Sequence, residues 1–204
     1  PPVWQPVWSV IAAPRLPVAR LTWIYGAGML GFSAMTSVFA LFLASRFGIT
    51  ETNVGYFFLY TGLLSFVMRS VALGPVIRRV GETGAVRLGT IALVVGLLLY
   101  PLAPNLWVML LIMPLIPIGT ALLFPSTTAL MSRASDPAIL GGTMGAAQAF
   151  AGAARVIAPI MATTTFQEFG PASPFLLGAA IVAGVGVLAF RLPTPPVLTP
   201  TSDQ

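Results

Sequence analysis

Cysteine, histidine and lysine are all absent from the 204 residues. Without cysteine there is no disulfide and no thiolate site. Without cysteine or histidine, metal sites built on those ligands are excluded; no metal and no cofactor is expected. A Ser-His-Asp triad is excluded for want of histidine, and Ser-Lys chemistry for want of lysine. Charge of either sign is also scarce. Only 7% of residues are charged and 57% are hydrophobic, against roughly 25% charged in soluble domains. An intramembrane enzyme would have almost no tools.

What is present is apolar sequence in long runs. Charge-free stretches cover 21–45, 52–68, 88–132, 137–154 and 169–190. A helix needs about 20 apolar residues to cross a bilayer core. The longest run breaks at Pro101, Pro104 and Asn105, so it reads as two helices. The run 52–68 continues past Arg69, and the run 137–154 past Arg155. The expected fold is therefore an all-α integral membrane protein with six transmembrane helices, at about 22–45, 54–77, 87–103, 106–131, 138–166 and 172–190. Residues 1–20, with Trp4 and Trp8, read as an interfacial or linker segment, and the Pro- and Thr-rich tail 192–204 as disordered. The opening Pro1-Pro2 reads as a cut near a linker from something upstream.

The net charge of +5 does not point to nucleic acid. The arginines are spread over several loops, with no basic cluster or stacking platform. They serve better as topology signals. Arg15, Arg20, Arg78, Arg79, Arg87, Arg133 and Arg191 all fall on one side if the chain crosses six times. The other side has Arg46, Glu51 and Glu168. Positive charge stays with cytoplasmic loops, so both termini are expected in the cytoplasm and the protein in the plasma (inner) membrane.

Polarity divides the six helices. The third and sixth are almost purely apolar and suit lipid. The first, second, fourth and fifth carry hydroxyl, amide and arginine side chains, two polar helices and one apolar, twice over. That pattern suits two inverted three-helix repeats. Serine and threonine alone are weak signals, because they often bond their own helix backbone. The expected cavity set is Tyr25, Met29, Ser33 and Ser37 on the first helix and Thr120, Phe124 and Thr127 on the fourth. Gln148 on the fifth adds an amide. The alternative is that these are ordinary helix contacts.

Two arginines lie deep in the apolar runs. Arg69 is roughly 12–14 Å from the near end of its helix and Arg155 roughly 17 Å from its own. Both are expected to be embedded charges facing an interior, since a charge near mid-bilayer costs at least ~2.5–3.5 kcal/mol. The alternative is snorkelling to the headgroups. No acid lies inside any predicted helix to pair with them. On the fifth helix Gly141 and Gly145 begin a small-residue stripe, and Gly152 lies on the adjoining face. These glycines are expected to let another helix approach.

These residues carry a resemblance. The segment Gly74-Pro-Val-Ile-Arg78-Arg79-Val-Gly81-Glu-Thr resembles the loop signature G-x-x-x-D-R-x-G-R-K of the major facilitator superfamily. Gly74, Arg79 and Gly81 match it; Arg78 replaces the aspartate, and Glu82 and Thr83 replace the basic pair. The stretch from Gly142-Thr143-Met144-Gly145 through Ala154-Arg155 to Pro159 looks like the eleventh helix of the drug:proton antiporter branch, the tetracycline-efflux-like proteins. Ile49-Thr50-Glu51 ahead of Val54-Gly55-Tyr56 looks like the start of their eighth helix. The resemblance spans about residues 15–191 and implies the C-terminal half of a twelve-helix transporter. It further implies alternating access, efflux of small drug-like or amphipathic substrates, and proton coupling through a missing N-terminal half. The first, second, fourth and fifth helices would then face that half, or a second copy of this chain. A different reading stays open: a complete six-helix oligomer with a channel-like or scaffold role.

Overall fold

The computed structural model describes residues 16–192. The expected Trp4–Trp8 segment, Arg15 and the tail beyond residue 192 lie outside the described residues. Every regular element is helical. In order they are α1 (Pro17–Phe47), α2 (Glu51–Val67), a π-helical turn (Met68–Ala72), α3 (Leu73–Leu99), a 3-10 turn (Tyr100–Leu102), α4 (Leu106–Ile112), α5 (Leu115–Ala134), α6 (Leu140–Phe169) and α7 (Ser173–Phe190). Five stretches are long and apolar enough to cross a membrane: Pro17–Phe47, Glu51–Leu102, Leu106–Ala134, Leu140–Phe169 and Ser173–Phe190. The chain is a multi-pass membrane protein.

The second stretch has 52 residues, about 78 Å if straight, far more than the ~30 Å hydrocarbon core. It is not straight. Gly81 sits at φ 71°, ψ 173° and breaks α3 into two arms. A side chain is strained at that φ, so glycine is what allows the turn. Where the sequence suggests a loop over residues 78–86, the backbone stays helical to either side of Gly81.

Other boundaries follow local chemistry. Pro17 starts α1 five residues before the expected position, because proline suits the first turn of a helix. Asn105 caps α4: its side chain accepts the Val108 N–H at 3.0 Å. The expected fourth helix is interrupted between α4 and α5, at Met113 and Pro114. Pro114 and Pro117 lack the N–H groups that would bond the carbonyls of Leu110 and Met113.

α1 is the hub. It packs against α6 and α7 most extensively and against α5, while α3 packs against α5 and α7. The α3–α5 crossing is a backbone contact. A Cβ on Gly89 would lie 2.7 Å from Leu123 N, and one on Gly119 2.8 Å from Leu93 N. Close approach through small residues is how membrane helices gain dispersion energy, since lipid offers no hydrophobic drive. An aromatic group made by Phe39, Phe42, Tyr100 and Phe175 fills the space between α1, the 3-10 turn and α7, with Phe42 and Phe175 centroids 4.7 Å apart.

Polar contacts gather arginines at one end of the bundle. Arg20 Nη1 donates to the Arg191 carbonyl at 3.1 Å. Arg87 donates to the carbonyls of Ala189 (3.1 Å) and Leu192 (3.0 Å). Both arginines thereby satisfy the C-terminal carbonyls of α7 and meet the negative end of its dipole. Arg133, in the last turn of α5, pairs at 2.9 Å with Glu82, which follows the Gly81 break in α3.

Candidate substrate-facing site

Two places combine aromatic and polar side chains from different helices. The first joins α1, α5 and α6. Tyr25 and Phe124 meet edge to face, 5.3 Å between centroids, and Phe32 lies 6.4 Å from the same Phe124 ring. Gln148 Nε2 donates to the Tyr25 hydroxyl at 3.4 Å. Three residues of the expected cavity set, Tyr25, Phe124 and Gln148, are thus brought together. Edge-to-face geometry aligns the positive ring edge of one with the negative face of the other.

The rest of that set is placed elsewhere. Met29 is buried in the core. Ser33 is half-buried and Ser37 exposed, and the Ser37 hydroxyl donates to the Ser33 carbonyl at 2.7 Å. Thr120 and Thr127 are 3% and 0% exposed; their hydroxyls donate to Pro117 (3.2 Å) and Leu123 (2.6 Å) carbonyls within their own helix. A threonine that bonds its own backbone is compatible with an apolar core, so these two line no opening.

The second place is a cleft of about 220 Å³ between α1 and α2, floored by Tyr100 and Pro117. α1 contributes Phe32, Thr36 and Phe39, and α2 contributes Phe58, Thr61 and Ser65. None of these belongs to the expected set. The signal that could have found them is a pair of facing stripes at spacings of three and four. The α1 stripe runs one residue before Ser33 and Ser37, about 100° around the helix. The Thr36 and Thr61 hydroxyls donate to Phe32 and Phe57 carbonyls at 2.8 Å each, which leaves their lone pairs as acceptors. The cleft therefore offers aromatic walls, hydroxyl acceptors and no charge.

Arg69 lies four residues beyond Ser65, inside the π turn, and is exposed. π turns frequently occur at functional sites. Arg155 is also exposed, near the middle of α6. Among the described residues neither side chain makes an ion pair; the single one found is Arg133–Glu82. Gly141 and Gly145 are exposed and Gly152 half-exposed, and a Cβ on any of them would meet nothing within 4 Å. Among the described residues no helix packs on that stripe. α2 is similarly bare, with Phe57 its one buried residue.

The loop-signature residues lie around the Gly81 break. Arg78 and Arg79 are exposed, and Gly74 has only the Arg78 guanidinium within 4 Å of an added Cβ. Glu82, which departs from the signature, is the partner of Arg133.

A sequence model of the family described as the Major Facilitator Superfamily matches residues 4–204. No solved structure gives a significant match.

Proposed function

The chain belongs to the Major Facilitator Superfamily, whose members are membrane transporters of small molecules, and on that premise we propose that it is a six-crossing half of an exporter of amphipathic compounds working by alternating access. The arms on either side of Gly81 are about 45 and 31 Å long, each sufficient for one crossing; with the other four stretches they make two inverted three-helix repeats. The observation that carries the substrate reading is the cleft between α1 and α2. Aromatic walls with a few hydroxyl acceptors suit a neutral or weakly charged apolar molecule bearing a donor.

The bare α2 face and the open Gly141–Gly145 stripe of α6 support a missing six-helix half, or a second copy, seated on those faces. Arg155 would meet that partner. A coupled proton needs a titratable carrier, and arginine does not release its proton in proteins; the carrier then belongs to the partner. The gathering of Arg20, Arg87, Arg133 and Arg191 at one end supports a cytoplasmic placement of that end and of both termini in the plasma (inner) membrane.

The test uses cells stripped of their main drug exporters. The intact transporter that includes this chain is expected to lower ethidium accumulation, and the chain by itself to leave it unchanged. Equal accumulation with the intact protein and with an empty vector would remove the exporter reading.

The second reading, an oligomer of this chain with a channel-like or scaffold role, is favoured by the same open glycine stripe. In this cysteine-free chain, Gly145→Cys crosslinking to itself in membranes at high yield would select it.

A further inference from the structure

A second groove, of about 190 Å³, runs between α3 and α7. Its walls are apolar, with Ile91 and Val95 from α3 and Ala183 and Val187 from α7, and Phe190 closes one end. Thr90 and Gly186 bring the helices together there: a Cβ on Gly186 would lie 2.6 Å from Thr90 Cγ2. The Thr90 hydroxyl is spent on the Val86 carbonyl at 2.8 Å, so the groove presents no free donor along this length.

The Phe190 end is different. The Arg87 guanidinium lies 5.9 Å from the Phe190 ring centroid, Arg20 bonds the Arg191 carbonyl, and Arg191 itself is exposed. The Arg20 and Arg87 guanidinium groups reach the carbonyls at this helix end, and the exposed Arg191 stands directly after its last turn. The carbonyls they bond carry only about half an elementary charge between them. No carboxylate pairs with this cluster among the described residues. An apolar groove therefore ends at a concentrated positive site, on a protein that lies in a bilayer.

We propose that this groove holds one anionic phospholipid, with an acyl chain between α3 and α7 and its phosphate among Arg20, Arg87 and Arg191. From Ala183 to Phe190 the groove spans about 10 Å, most of the ~15 Å hydrocarbon depth of one leaflet. Every lipid tail is equally apolar, so the groove supplies shape and the arginines supply selection. Guanidinium groups bind phosphate oxygens in a two-pronged geometry that a zwitterionic headgroup, with its own ammonium, partly neutralises.

The experiment is native mass spectrometry of the full chain in neutral detergent, with dioleoyl phosphatidylglycerol or dioleoyl phosphatidylcholine added at equal concentration. One phosphatidylglycerol per chain is expected to be retained, at least tenfold over phosphatidylcholine. Arg191→Gln and Ala183→Phe alter exposed side chains, so folding is preserved. Each is expected to cut retention several-fold, one by removing charge and the other by filling the groove. Millimolar inorganic phosphate is expected not to displace the lipid. Equal retention of the two lipids, wild-type retention in either variant, or displacement by phosphate would each overturn the proposal.

Discussion

The Tyr100 hydroxyl donates to the Met113 carbonyl at 3.0 Å, the carbonyl that Pro117 leaves without its helical N–H. Tyr60 does the same for Leu110, at 3.3 Å, whose donor is lost at Pro114. Two tyrosines, from α2 and from the end of the third predicted helix, thus occupy the two vacancies that two prolines create. In a bilayer an unsatisfied carbonyl costs several kcal/mol, so a proline break is tolerated only where neighbours supply donors.

Tyr100→Phe is expected to destabilise the chain by about 1–3 kcal/mol, since it leaves a buried acceptor unpaired. Tyr60→Phe is expected to cost less, because its bond is longer and half-exposed. Adding Pro117→Ala to Tyr100→Phe returns the missing N–H and should recover part of the loss. Thermal unfolding in detergent measures the cycle; additive losses would mean the tyrosine and the proline are unconnected.

Gly89 and Gly119 are expected to tolerate nothing larger. Gly119→Val puts a Cβ within 2.8–3.0 Å of backbone atoms of Leu93 and Gly89, and overpacking of this kind costs about 1–3 kcal/mol or more. Gly145→Ala adds its methyl to open space and should stay within about 0.5 kcal/mol of the parent. Size-exclusion profiles and unfolding temperatures in detergent separate the two.

Cysteine substitutions in this cysteine-free chain report which hydroxyls face an aqueous opening. Thr36→Cys and Ser65→Cys, on the cleft, are expected to react with a water-soluble maleimide in membranes. Thr127→Cys, in the core, is not. Labelling of Thr36→Cys and Ser65→Cys no stronger than the background at Thr127→Cys would show that the cleft does not communicate with water.

Arg155 stands about 21 Å from the C-terminal end of α6, without a counter-charge among the described residues. Under the proposed half-exporter reading, charge-assisted contacts to the partner half would be worth about 1.5–3 kcal/mol, so Arg155→Gln should reduce export by roughly tenfold or more while the protein still inserts. Arg155→Lys keeps the charge but loses the planar fork and should also impair export. Ethidium efflux at matched expression checks both, and wild-type efflux by Arg155→Gln would show that the side chain only snorkels to the outer interface.

The helices were legible because their runs of uncharged residues exceed the bilayer thickness. The prolines of the fourth predicted helix point to a kink, but not to which of them breaks it, since that depends on what neighbours donate, and Tyr60 and Tyr100 are far from it in sequence. Side-chain type alone put Tyr25, Phe124 and Gln148 in the expected cavity set, but it gave no sign of their mutual contact. The cleft was not legible, because Ser33 and Ser37 look as polar on paper as Thr36 and Thr61, and one residue of offset turns the face by about 100°. The repeated pattern at Gly141 and Gly145 meets no helix among the described residues, whereas the isolated Gly89 and Gly119 bring two backbones together. Which surface a helix presents depends on its neighbours' shapes, and periodicity within one helix does not encode them.

The contact between Arg20 and residue 191 joins positions 171 apart, and it sets an order of events during synthesis. α1 leaves the ribosome well before α6 and α7, the helices it packs against most extensively. At about 5–20 residues per second, α1 waits roughly ten to thirty seconds before its main neighbours exist. During that interval Tyr25 lacks Gln148, Phe42 lacks Phe175, and the Arg20 guanidinium has no helix end to hold. The nascent hub must lodge in the membrane with its future interfaces facing lipid or the insertion machinery. A ribosome slowed or stalled before α6 would therefore leave the centre of the bundle, rather than its rim, exposed to quality control.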